Sequence, residues 1–144
     1  MKRLALLIAV SSVAVLGAAS ASAGTATVTV ATSRSSLGTY LSSAGRTLYL
    51  FEADSRNQST CSGPCAGTWP PLTTSGRPVA GPGVKASLLG TIKDGSTKQV
   101  TYDGHPLYFY SGDTKPGETN SQGLKLFGAK WFVVSRSGAA ITKP

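Results

Sequence analysis

The sequence predicts a mainly β domain of two pseudo-symmetric hairpin repeats, folded as a small sandwich or half-open barrel with little or no helix. Three observations carry this. Beyond the first two dozen residues no apolar stripe keeps helical spacing for three turns, and Gly and Pro interrupt the chain often. Short segments alternate apolar and polar residues with the period of a strand. One of those segments occurs twice.

The chain opens differently. Lys2 and Arg3 precede an apolar run from Leu4 to Leu16, and Ala21-Ser22-Ala23 follows. This is the pattern of a cleaved export signal over residues 1–23, with Gly24 as the new N-terminus. The run is short of the roughly 20 residues that cross a bilayer. No cysteine follows it to take a lipid, so neither a transmembrane nor a lipid anchor is expected. Residues 24–36 read as an N-terminal strand, Thr27-Val28-Thr29-Val30, and a linker. Residues 37–138 read as one two-repeat domain, repeat one about 37–75 and repeat two about 96–138, before a short tail at 139–144.

In repeat one, Tyr40-Leu41 and Arg46 to Phe51 flank Ser42-Ser43-Ala44-Gly45, a turn composition, and predict a hairpin. In repeat two, Thr97 to Tyr102 and His105 to Tyr110 flank Asp103-Gly104, the two-residue signature of a tight hairpin. Leu88–Ile92 and Lys130–Val134 predict further strands. Gly45 to Asp54 aligns without gaps on Gly104 to Asp113, sharing Gly, Leu, Tyr and Asp, with Phe51 facing Tyr110 in the alignment. A loop and a tryptophan follow each copy, Trp69 and Trp131. One core built on Leu48, Leu50, Trp69, Leu107, Phe109 and Trp131 is expected.

Tyr49-Leu50-Phe51-Glu52-Ala53-Asp54 and Tyr108-Phe109-Tyr110-Ser111-Gly112-Asp113 both fit Y-x-[FWY]-x-x-D. Together with Cys61-Ser62-Gly63-Pro64-Cys65, Trp69-Pro70-Pro71-Leu72 and Gly104-His105-Pro106-Leu107-Tyr108, the chain resembles the bacterial secreted-repeat family of predicted lipoproteins that carries this motif. The resemblance runs from about Leu37 to Gly138. It implies an exported or cell-envelope protein and brings no established activity with it. The missing lipidated cysteine sets this chain apart from the lipoprotein members.

Few residues offer chemistry. Asp54 and Asp113 end the two motif copies. At strand-to-loop corners they are expected to accept backbone N–H groups about two residues on. As a pair they could instead share a cation or, at about 5–9 Å, serve glycoside hydrolysis. Tyr49, Phe51, Tyr108 and Tyr110 fall on one face of their strands, opposite Leu48, Leu50, Leu107 and Phe109. That aromatic row reads as core where the copies meet, or as a platform for flat ligands. Cys61 and Cys65 read as a disulfide in an oxidising compartment. A redox or metal site would draw on that pair, His105 and the two aspartates. His105, the sole histidine, aligns with Arg46, which ligates no metal. There is no haem-attachment sequence, nucleophile elbow or phosphate loop, so no cofactor is expected.

The formal charge is +8, of which Lys2 and Arg3 leave with the signal. The remaining cations are spread singly, which argues against nucleic acid. Attraction to an anionic cell-wall polymer or an envelope protein fits, as does a role in solubility alone. The sequence as a whole points to a secreted, extracellular or wall-associated binding or interaction module that is not an enzyme. A small carbohydrate-active enzyme using Asp54 and Asp113 is the catalytic alternative.

Overall fold

A computed structural model describes residue 17 and residues 27–144, so the expected signal at 1–23 lies outside the described residues apart from Gly17. The strands in chain order are β1 (Thr29–Ser35), β2 (Gly38–Ser43), β3 (Arg46–Thr47) and β4 (Tyr49–Phe51), then β5 (Thr73–Thr74) and β6 (Val79–Ala80). They continue as β7 (Leu89–Asp94), β8 (Thr97–Tyr102), β9 (His105–Pro106), β10 (Lys125–Leu126) and β11 (Ala129–Val133). A five-residue helix, α1 (Pro64–Thr68), and a 3₁₀ turn at Ala86–Leu88 complete the fold. No helix of the described residues is long and apolar enough to cross a membrane.

The strands form three small sheets: β3-β2-β1-β6, β10-β11-β4, and β5-β8-β7 with β9 on β8. The segment after Val30 is strand, not linker: Ala31 to Ser35 pairs with Ser42 to Gly38 in an antiparallel hairpin. Its ladder to β2 holds it, and its polar, half-exposed residues lack the alternation that a sequence pattern needs. The equivalent hairpin in repeat two is β7–β8. Ala44-Gly45 and Asp103-Gly104 make matching turns, each with both residues at positive φ (49° and 77°; 48° and 78°). This is the type I′ geometry whose twist matches the strands it joins.

Each repeat lends its last segment to the other. In one ring of backbone hydrogen bonds, Leu41 N donates to Val134 O (2.8 Å), Val134 N to Leu48 O (3.2 Å) and Leu48 N to Leu41 O (3.0 Å). In the second ring, Val100 N donates to Leu72 O (2.8 Å), Leu72 N to Leu107 O (2.9 Å) and Leu107 N to Val100 O (3.0 Å). Leu72 of repeat one thus completes repeat two, and Val134 of repeat two completes repeat one. The same exchange sets β11 against β4, with Trp131 opposite Phe51, and Pro71 against Tyr108.

Period-2 alternation divides the interior in two. Leu48, Leu50, Leu107, Val30, Leu41 and Val100 gather in an aliphatic cluster, with Phe109 partly buried against it. Tyr49, Phe51, Tyr108, Trp69, Trp131 and the cysteines form an aromatic one. The single core expected to hold the tryptophans with the leucines is therefore corrected to two. Directly opposed residues share a sheet face, so pairing with Phe51 commits Trp131 to the aromatic side.

Candidate functional site

The motif residues meet across the repeat boundary. Tyr49 Oη donates to Asp113 Oδ2 at 2.7 Å, and Tyr108 Oη donates to Asp54 Oδ2 at 2.7 Å. The other carboxylate oxygen of each aspartate holds its own loop: Asp54 Oδ1 accepts from Thr60 N (2.7 Å) and Asp113 Oδ1 from Asn120 N (2.9 Å). The expected bond to a backbone N–H about two residues on is thus replaced by one six or seven residues on. The loop folds back far enough for its N–H to meet the carboxylate, while the second oxygen is drawn inward by the phenol. Ser59 Oγ also lies 2.7 Å from Tyr108 Oη. Burial, and then the hydrogen bond to Asp113, push the Tyr49 phenol well above its ordinary range. Tyr108 is raised too, chiefly by burial and with Asp54 adding to it.

Between these latches four rings stack in palindromic order. Phe51 lies on Trp131 (centroids 4.1 Å, planes 9° apart), Trp131 on Trp69 (4.1 Å, 4°) and Trp69 on Tyr110 (5.2 Å, 29°). The local two-fold axis passes between the tryptophans, since Phe51 and Tyr110 are motif equivalents. Both indoles are fully buried and both donate, Trp69 Nε1 to Ser121 Oγ and Trp131 Nε1 to Leu126 O, each at 3.2 Å. Phe51 and both indoles are interior packing, and Tyr110, half-buried, closes the row at its outer end.

Cys61 and Cys65 are joined as a disulfide, and no described cysteine is free. In the repeat alignment set by Thr60 and Asn120, Ser121 stands where repeat one has Cys61. His105 is half-buried in β9, paired with Tyr102. Its counterpart Arg46 lies over the Phe109 ring, 4.2 Å from the centroid. Among the described residues no three His, Cys, Asp or Glu side chains cluster as metal ligands do.

The structure opens elsewhere, at a place the sequence did not single out. A cleft of about 570 Å³ lies between the loop before β6 and the β7–β8 hairpin, lined by Arg77, Pro78, Ser87, Leu89, Thr91 and Lys98 among others. No carboxylate lines it. Lys93 stands directly opposite Lys98 in the β7–β8 register, a like-charge pairing that costs stability unless an anion screens it. Among the described residues the ion pairs amount to one, Arg56 with Asp103 at 3.8 Å. Lys93 and Lys98 converge only through register. The signal that could have found them is Gly95 as the first residue of a two-residue turn (φ 58°), which sets Lys93 across from Lys98.

A family model described as a secreted repeat of unknown function matches the chain twice, over residues 32–73 and 90–135. Each match begins within a β1–β2 or β7–β8 type hairpin and ends just past the lent Trp segment. No curated protein and no solved structure matches the chain.

Proposed function

The chain belongs to that secreted-repeat family, and from this premise we propose that it is a non-catalytic binding domain for an anionic polymer of the cell envelope, held in the cleft between Arg77 and Lys98. One observation carries the reading: two cations, Arg77 and Lys98, and no acid line an open cleft. In a concave site the potentials of like charges add, raising the local concentration of an oppositely charged ligand. Ser87 and Thr91 supply neutral hydrogen-bond donors there, and Leu89 and Pro78 an apolar floor.

A binder fits better than an enzyme because the residues best suited to catalysis are occupied. Each motif aspartate accepts from a phenol on one oxygen and from a loop N–H on the other. The cysteines are spent on each other. Neither the hydrolytic nor the redox alternative gains a reactive group.

The test is binding of the exported protein to soluble polyphosphate and to a purified anionic wall polymer across a salt series. Arg77→Gln with Lys98→Gln should weaken binding and flatten its salt dependence, while Lys115→Gln, which does not line the cleft, should not. Equal weakening by both would reduce the interaction to overall charge and end the assignment to this cleft.

A further inference from the structure

We propose that the β10–β11 hairpin is a membrane-docking tip that inserts into the headgroup region of an anionic lipid bilayer. Leu124, Leu126 and Phe127 are 37%, 45% and 48% exposed, so among the described residues three of the four exposed large apolar side chains fall within four residues of one hairpin. Lys125 and Lys130 face each other across its strands, one residue pair behind the turn. With about 3.4 Å of rise per strand residue, lysines at that setback reach phosphates when the turn residue sits among the upper acyl carbons. Apolar tip and basic collar are the arrangement by which an interfacial segment binds a negatively charged surface.

The turn itself supports the inference. Phe127 and Gly128 are its two central residues, at φ 57° and 90°. Both positions call for the left-handed region, where Asn or Asp before Gly is the favoured choice and a bulky ring is strained. Trp69 meets Phe127 in a T-shaped pair (centroids 6.0 Å, planes 86° apart), and Phe127 stays 48% exposed. Repeat symmetry does not require the hairpin either. Repeat one fills the corresponding stretch, between its Asp-held loop and its tryptophan, with α1 and the disulfide. A second copy of this chain is a poor occupant, because pairing two such tips would bring four lysines together. An anionic bilayer neutralises the same charges that another copy would oppose.

The experiment is co-sedimentation of the exported protein with vesicles of phosphatidylcholine alone and of phosphatidylcholine with phosphatidylglycerol. Phe127→Asn keeps the turn geometry and removes the ring. Lys125→Gln with Lys130→Gln removes the collar. Binding should require phosphatidylglycerol and fall roughly tenfold or more in each variant. The cleft variant Arg77→Gln with Lys98→Gln should keep vesicle binding, so this proposal and the polymer-binding one fail separately. The docking tip is refuted by absent vesicle binding, by binding indifferent to both tip variants, or by loss with the cleft variant alone. A concentration-dependent dimer that Phe127→Asn dissolves would equally overturn it in favour of self-association.

Discussion

Tyr49 and Tyr108 hold the same place in their respective repeats and are each other's backbone partners, Tyr49 N donating to Tyr108 O at 2.8 Å and Tyr108 N to Tyr49 O at 3.0 Å. This is the doubly bonded pair of an antiparallel ladder, formed here between equivalent residues. Their phenols then part, each to the other repeat's aspartate. The Y-x-[FWY]-x-x-D motif is therefore a clasp that works only in duplicate.

Coupling energies should follow the crossed pairing. In double-mutant cycles, Tyr49→Phe with Asp113→Asn should couple by roughly 0.5–3 kcal/mol. Tyr49→Phe with Asp54→Asn, neighbours in sequence that share no bond, should be additive. Asp113→Ala, at a buried site with an Asn120 N–H left over, should cost about 1–3 kcal/mol. Asp54→Ala, at a more exposed site, should cost less. Urea unfolding gives all of these, and added calcium should leave the midpoint unchanged.

Alkaline pH should unfold the domain early. Burial first, then the aspartate bonds, raise both phenols above their usual value. The unfolded chain releases these protons from about pH 10 upward while the folded chain keeps them. The stabilisation is complete below that pH and is lost as pH rises, by at most about 2.7 kcal/mol per pH unit for two protons. Tyr49→Phe or Tyr108→Phe should reduce the slope by about one proton; an unchanged slope would assign the titration to other groups.

Reduction of Cys61–Cys65 should weaken the fold without abolishing it. For so short a ring the chain-entropy contribution is about 2 kcal/mol, and repeat two shapes the matching loop with Ser121 in place of a cysteine. Alkylation of the unreduced exported protein should add no mass. After reduction, or in Cys61→Ser with Cys65→Ser, the far-ultraviolet dichroism should persist with a lower melting temperature.

The tryptophan pair should be visible spectroscopically. Two indoles 4.1 Å apart and stacked within 4° lie close enough to couple their transitions, which gives a couplet in the ultraviolet dichroism when their in-plane transition axes are turned against each other. Trp69→Phe or Trp131→Phe should each remove the whole couplet, since it belongs to the pair. Truncation to Ala at either buried site should cost about 3–5 kcal/mol.

Much of this was legible in the residues and some was not. Asp103-Gly104, the Leu–Tyr alternation and the gapless match of Gly45–Asp54 to Gly104–Asp113 disclose the hairpins and the duplication, because turn chemistry and strand period are local. The lending of Leu72 and Val134 between repeats is not local: a strand's preference for its own or the other hairpin leaves no mark in composition. The expectation for Asp54 and Asp113 fell short for that reason, as it looked along the chain for partners that come in part from across the fold. The β1–β2 hairpin was missed at Ala31–Ser35 because its exposed, polar residues carry little pattern. The cleft cations Arg77 and Lys98 leave no sequence signal, because they are 21 residues apart and meet only in the folded chain.

The ring joining Leu41, Leu48 and Val134 sets a timetable for a chain threaded N-terminus first through an export channel. Leu41 and Leu48 leave early and cannot close their ring until Val134 has also emerged, nearly the whole domain later. The second ring, of Leu72, Val100 and Leu107, closes sooner but leaves Phe51, Trp69 and Tyr108 without Trp131, their indole partner. For a chain delivered in that order, the segment that closes the first ring and completes the indole stack is among the last to arrive.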